Sequence, residues 1–342
     1  MANSVLQAFS FRNASAIWVL AVIMAIFSLT IPQTFLASRT WTSMLDTQAV
    51  VALAAVALVI PLSAGIFNLA VGGQIGIASM MVAWLLVSFG LPIAVAIPLT
   101  LLAGGLIGLV TGVLIVHFRI DSFIATLGMN SLLIAAVNLM SGGRQILDMP
   151  QPLVDFGTTR FAGLTYSFLL MIVLSALVWY VLERTPLGRR VYATGANLEA
   201  ARLSGVKVRW VMVGSLVGCG FLTSIAGILV TARLGNADPT IGPAYLLPAF
   251  TAAFLGATQF RRGRFNVTGT ILSVYVLAAG VKGLQLSGAP TWITDAFNGL
   301  ALLVAVGLAA SVRAGTKSSL LQRLRRHAGR PGWNSTEELH RA

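Results

Sequence analysis

PIAVAIPLTLLAGGLIGLVTGVLIV, residues 92–116, runs for 25 residues without a charged side chain. A helix needs only ~20 apolar residues to cross about 30 Å of hydrocarbon. In lipid the backbone N–H and C=O groups must be satisfied within the segment, so this run is expected to be a membrane helix. Working outward, similar runs recur at roughly 14–34, 47–66, 69–89, 122–142, 164–183, 210–232, 244–257, 267–284 and 291–312. The apolar–polar alternation of a transmembrane barrel strand is absent. The expected fold is therefore all-α, a polytopic transmembrane helical bundle of about ten spans. It fills residues 1–312 as one domain and leaves a basic tail over 313–342.

Composition agrees. The chain has 342 residues, of which 57% are hydrophobic and 10% charged, with mean hydropathy +0.86. Soluble domains carry about 25% charged residues. The net charge of +13 is distributed as a topology signal, with no need of nucleic acid. With the N-terminus inside, 18 of the 23 Lys and Arg residues fall on one side. They are Arg12, Arg119, six in 184–209, three in 261–264 and seven in the tail. Arg39, Arg144, Arg160, Arg233 and Lys282 fall on the other. Positive charge is retained on the cytoplasmic side, so both termini are expected there. The first span lacks a small-residue cleavage site and is read as retained. Arg323, Arg325 and Arg326 are expected to rest on the anionic inner lipid surface.

Little in the chain could perform covalent chemistry. Cys219 is the single cysteine, so it can form no intrachain disulfide and reads as a small packing residue. His117, His327 and His340 are scattered, and no metal site or catalytic pair emerges. Lys282 and Asp295 sit near span ends. A charge at the bilayer centre costs at least ~2.5–3.5 kcal/mol, so the scarcity of such charges argues against a proton-coupled carrier and an embedded hydrolase. No phosphate-binding Gly-x-x-x-x-Gly-Lys-Ser/Thr loop occurs. If ATP drives transport, it is bound by a separate polypeptide, and no cofactor is expected in this chain.

Several spans carry helix-breaking or polar residues. PLSAGIFNLAVGG (61–73) places Pro61, Gly65, Gly72 and Gly73 in apolar sequence. It reads either as a tight hairpin or as a broken helix beside a cavity, with Asn68 needing a polar partner. In the fifth span Thr126 and Asn130 share a face, and Asn138 lies roughly on the same side. Such an uncharged stripe suits a neutral hydroxylated solute, or bonds to neighbouring helices. Gly104, Gly108 and Gly112, like Gly214 and Gly218, are spaced for close helix packing. Gly65-Ile66-Phe67-Asn68-Leu69 is weakly echoed by Gly263-Arg264-Phe265-Asn266-Val267, as in an internal duplication.

The long polar segment between spans is RTPLGRRVYATGANLEAARLSGVKVR, residues 184–209. Asn197 can cap a short helix reaching Ser204, and Gly205 suits the left-handed residue that ends one. Glu199 and Arg202 suit the helix dipole and each other. Leu198, Ala201 and Gly205 share a face small enough to enter a partner's groove. The segment reads as a solvated loop or as a docking handle for a soluble protein.

ERTPLGRRVYATG (183–195) and GANLEAARLSGVKV (195–208) resemble the cytoplasmic loop of membrane permeases from ribose- and xylose-type ABC importers. GIFNLAVGGQIG (65–76), DSFIATLGMNSLLIAAVNLMSGG (121–143) and LPAFTAAFLGATQFRRGRFNVTGT (247–270) resemble the same family, in order, across roughly residues 45–310. The resemblance implies two permease subunits, identical or homologous, in a bacterial inner membrane, with two ABC ATPase subunits. A periplasmic binding protein would deliver a sugar or related polyol. Gly195, Asn197, Glu199, Ala200, Ala201, Arg202, Ser204 and Gly205 would form the ATPase-coupling element. Phe67, Asn68, Gln74, Phe123, Thr126 and Asn130 are the candidate translocation path. The chain departs from the family pattern at Asn68, where an aspartate is usual, at Tyr245-Leu246-Leu247-Pro248, at Gly256-Ala257, and at Arg261 and Arg262. The alternatives are an ion-coupled or facilitative carrier, or a membrane enzyme, for which no nucleophile or metal cluster is evident.

Overall fold

The computed structural model describes residues 15–161, 163–260, 263–290 and 292–307. Arg12, Arg261, Arg262, and the tail with Arg323, Arg325, Arg326, His327 and His340, lie outside the described residues. Seven helices are long and apolar enough to cross a membrane. They are α3 (Ser38–Ser63), α4 (Val71–Ala83, prolonged to Ser88 by a π-helical turn), α5 (Ile93–Val116), α6 (Ser122–Ser141), α8 (Tyr166–Arg184), α11 (Val208–Leu234) and α13 (Val267–Leu286). Shorter helices are α1 (Ser15–Thr30), α2 (Pro32–Phe35), α7 (Gln151–Thr158), α9 (Pro186–Ala196), α10 (Leu198–Leu203), α12 (Leu246–Ala257) and α14 (Trp292–Gly307). A two-residue antiparallel hairpin, β1 (Arg160–Phe161) with β2 (Leu164–Thr165), is the one sheet among the described residues.

Each of the ten apolar runs falls on an apolar helix, but among the described residues only seven of these helices are long enough to cross a membrane, and those in the runs at 14–34, 244–257 and 291–312 are shorter. The run at 244–257 is a 3-10 turn followed by the 12 residues of α12. Even counted from Gly242 it rises only ~24 Å, short of the hydrocarbon thickness. Pro248, tolerated in the first turn of a helix, marks that late start. The run at 47–66 begins earlier, at Ser38, because a helix can extend through polar residues beyond its apolar stretch.

Burial sorts the helices into an inner and an outer set. α3, α4 and α11 are mostly buried, whereas α5, α6 and α8 bury a minority of their surface. The sequence of α3 explains its place. VVALAAVALV is apolar all round, which suits a helix enclosed by others, and Ala52, Leu53, Ala54, Ala55, Val56, Ala57 and Leu58 have no exposure. Asp46 anchors its N-terminal part. The carboxylate accepts from Thr165 Oγ1 at 2.9 Å and pairs with Arg160 at 3.3 Å, while its backbone carbonyl accepts from Arg233 at 3.1 Å. These contacts tie α3 to the hairpin and to the end of α11.

α5 and α11 cross closely. A Cβ on Gly104 would meet Gly220 O at 2.6 Å, and one on Gly108 would collide with the backbone of Leu216 and Val217. Gly112 lies against Val213. Gly214 and Gly218, expected in the same role, have no such neighbour. The α11 residue that permits the crossing is Gly220, which a spacing rule blind to helix rotation does not select. Gly108→Ala is therefore expected to lower the unfolding temperature in detergent by several degrees, since overpacking typically costs ~1–3 kcal/mol. Gly105→Ala, with only Val217 Cγ1 at 4.0 Å, is the control and should unfold like the parent. Equal temperatures for the two variants would refute the tight crossing.

Candidate functional site

The segment 184–209 folds into two helices. Thr185 caps α9 by accepting from Gly188 N at 3.4 Å, with Pro186 at the first helical position, where it lacks no needed N–H. α9 then lies back against the bundle and buries Val191 and Thr194. Asn197 ends α9 and opens α10, its Oδ1 accepting from Ala200 N at 3.1 Å. Glu199 sits in the first turn of α10 and Arg202 in the last. Ser204 Oγ donates to Ala201 O, and Gly205 follows at φ +83°. The capping expected from Asn197, Ser204 and Gly205 is thus present, although among the described residues no ion pair joins Glu199 to Arg202.

One expectation for α10 is corrected. Ala201 is 4% exposed, and its carbonyl accepts from Val206 N at 3.0 Å. It faces its own chain, because the turn into α11 folds back over that side. The outward apolar residues are Leu203, 87% exposed, and Leu198. Glu199, Ala200, Arg202, Ser204 and Gly205 are also exposed.

α9 touches two breaks in the membrane helices. At the first, Gly195 lies so close to the end of α3 that a Cβ would strike Ser63 O and meet Ala64 C and Gly65 N at 3.0 Å. At the second, Tyr192 donates to Phe265 O at 3.0 Å and to Glu183 at 3.4 Å. The Arg264 guanidinium stacks 3.4 Å from the centre of the Tyr192 ring and pairs with Glu183 at 3.7 Å. Burial, and then the Glu183 carboxylate, raise the Tyr192 phenol above its ordinary pKa, so it stays a donor near neutral pH.

The two breaks are alike in part. Gly65 (φ +82°) and Gly263 (φ +76°) turn the chain, and Asn68 and Asn266 are both buried. Asn266 caps α13 by accepting from Gly269 N, whereas Asn68 accepts from Ala70 N, one residue before α4 begins. Phe67 and Phe265 both pack on Phe254, with ring centres 6.3 and 5.3 Å away. The five-residue echo therefore extends to the glycine turn and the phenylalanine contact, but not to the cap. Pro61, Gly72 and Gly73 lie inside helices, and only Gly65 makes the first turn. Gly72 and Gly73 instead admit close neighbours: Gly242 and Leu246 at the first, Asn130 at the second.

The candidate path residues separate into two groups. Asn68 donates to Gln74 Oε1 and Cys219 Sγ, each at 3.3 Å, and Thr223 also donates to Gln74. Thr126 Oγ1 accepts from Leu69 N at 3.1 Å, and Asn130 Oδ1 accepts from Gly73 N at 2.9 Å. Thus the polar stripe of α6 serves as a cap for α4, supplied from another helix. Phe67 and Phe123 are 43% and 52% exposed and make no ring contact with each other.

Residues 41–306 match the model of a family described as branched-chain amino acid transport system / permease component. The chain belongs to this permease family. The ribose import permease protein RbsC of Haemophilus influenzae is 34% identical over 72% of this chain and 76% of its own length. The corresponding Escherichia coli K12 protein is 32% identical over 84% and 90%. The autoinducer 2 import system permease protein LsrD of Yersinia enterocolitica is 30% identical over 80% and 85%. No solved structure matches.

The permease is a multi-pass membrane transport component of the bacterial inner-membrane type, rather than an enzyme. Its loop motifs were readable in advance as those of ribose-type permeases. Glu183, Tyr192, Arg264 and Leu203 were not singled out. Tyr192 and Arg264 stand in separately quoted motifs, and nothing in either motif shows that they meet across 72 residues of chain. Leu203 carried a usable signal, being a large apolar side chain in an otherwise polar loop.

Proposed function

We propose that this permease is the membrane subunit of an ATP-driven ABC importer for a sugar or related neutral polyol. A second permease subunit completes the pathway, two ATPase subunits hold the loops, and a periplasmic binding protein delivers the solute. About ten membrane segments, with both termini cytoplasmic, give the topology. ATP binds to the partner ATPases, and lipid, not nucleic acid, surrounds this chain. The relatives favour this reading over an ion-coupled or facilitative carrier.

The observation that carries the coupling role is the double attachment of α9, which touches the first break through Gly195 and the second through Tyr192. A push on α10, exposed at Glu199, Arg202 and Leu203, is delivered through α9 to both turns at once. Two packed turns with discrete arrangements are the kind of element that converts a small displacement into a switch. In the pathway, Phe67 and Phe123 face the solute, and the half-buried Asn130, its Oδ1 held by Gly73 N, leaves only its amide NH2 for it. Asn68, Gln74 and Thr126 fix the shape of the break behind them. All of these are uncharged, which suits a hydroxylated solute without a counter-ion.

Reconstitution tests this reading. The permease with its neighbouring ATPase and binding protein, in vesicles supplied with ATP, is expected to accumulate labelled pentose or a similar polyol. Omitting the ATPase should abolish accumulation. Uptake that survives without the ATPase and collapses with an uncoupler would overturn the reading in favour of an ion-coupled carrier.

A further inference from the structure

Two grooves flank Trp210, where α11 begins. The first, about 630 Å³, is walled by the end of α5, by Arg119, by α10 and by the first turn of α11. Four cations ring it, Arg119, Arg202, Lys207 and Arg209, against the single carboxylate of Glu199. Among the described residues none of these cations forms an ion pair. The floor, in contrast, is apolar and includes Ile115, Val116 and Met212. On the other side of Trp210 a second groove of about 610 Å³ adds Arg190 and again reaches Lys207. Trp210 itself is 74% exposed.

The order of these surfaces along α5 decides what fits. α5 exposes Leu102, Leu106, Leu109 and Val113 along one stripe, at the i, i+3 and i+4 spacings that align residues on one face. That stripe leads up to Val116 and then to Arg119. An apolar track thus ends in a ring of cations with an indole at the boundary, where tryptophan is favoured at headgroup depth. A soluble anion has no use for the apolar track, and a polar protein surface would leave it uncovered.

We propose that this groove binds an anionic phospholipid, its phosphodiester among Arg119, Lys207 and Arg209 and an acyl chain along α5. The choice of the cytoplasmic leaflet rests on the loop placement proposed above; the binding does not. Each basic residue near an anionic surface favours binding by about 5-fold, so the ring discriminates strongly against zwitterionic lipid.

Tryptophan quenching reads the site directly. The full permease is placed in phosphatidylcholine vesicles containing either brominated phosphatidylglycerol or brominated phosphatidylcholine at the same fraction. The Trp210 signal is the difference between the parent and Trp210→Phe. It is expected to be quenched several-fold more strongly by the brominated anionic lipid. The double variant Arg119→Asn, Arg209→Gln should remove that preference, while a purified protein of unchanged unfolding temperature shows that it has folded. Asparagine is chosen at 119 because Arg119 has φ +56°, a left-handed conformation that asparagine tolerates. Equal quenching by the two lipids, or a preference unaffected by the double variant, overturns the proposal. So does displacement of the brominated lipid by the partner ATPase, which would assign the groove to that protein. No solute or nucleotide enters the measurement, so its failure leaves the importer reading untouched.

Discussion

Gly195→Val is expected to abolish accumulation of solute by the assembled importer while the permease remains in the membrane. The side chain would be built into the backbone of Ser63, Ala64 and Gly65, which cannot yield as a flexible side chain would. Overpacking of this kind costs ~1–3 kcal/mol, well below the ~5–15 kcal/mol that holds a typical domain together. The cheaper outcome is therefore that α9 lifts away from the end of α3 while the bundle persists. Gly195→Ala places the same Cβ and should act in the same direction. Gly205→Ala is a useful comparison. At φ +83° with no neighbour within 4 Å, it adds only backbone strain at the end of α10. The measurements are uptake, ATP hydrolysis and unfolding temperature on the same preparations. Hydrolysis that continues while uptake stops would place the fault in transmission. Normal uptake by Gly195→Val would remove the first arm of the coupling route.

How much of this was legible in advance depends on whether the signal is local. The span positions followed from length and hydropathy, because lipid imposes one solution on any long apolar run. The capping of α10 was legible for a similar reason: Asn197 and Gly205 act within a few residues of themselves. The echo around Gly65 and Gly263 was visible as five residues, and the structure adds that both glycines have positive φ. Helix rotation was the first thing lost. Ala201 and Gly218 were assigned to faces by spacing, but which face meets the bundle is set by neighbours far away in the chain. The polar stripe of α6 shows the same limit. Thr126 and Asn130 were correctly seen to share a side, but only the structure shows that the side is filled by the N–H groups that open α4. The run at 244–257 was placed correctly, but its reading as a span did not hold, since it is already shorter than the ~20 residues a crossing helix needs.

Arg264→Gln is expected to uncouple the second arm. The change removes the cation stacked on Tyr192 and paired with Glu183, and Glu183 is largely buried. Cation–π contacts are worth ~0.5–2 kcal/mol. Losing one on a partly exposed arginine weakens the junction without unfolding the bundle. Transport per ATP hydrolysed should fall by about 10-fold, the equivalent of ~1.4 kcal/mol in the equilibrium between joined and separated states. Tyr192→Phe divides the junction further, because it keeps the ring under Arg264 and deletes the hydrogen bonds to Phe265 O and Glu183. Its effect should be smaller, near the ~1 kcal/mol of a single hydrogen bond. Arg264→Lys keeps the charge but loses the planar stack, so it should fall between the parent and Arg264→Gln. The phenol's raised pKa fixes the sign of any pH effect. The contact is intact below the ordinary tyrosine value near 10 and is lost only as pH rises through the higher folded value, so uptake should not decline through Tyr192 near neutral pH. In a double-mutant cycle, Tyr192→Phe and Arg264→Gln should be less than additive, because both loosen the same contact between α9 and the second break. If each variant transports with the parent's stoichiometry, force does not pass through this junction, and the proposed coupling route is reduced to its Gly195 arm.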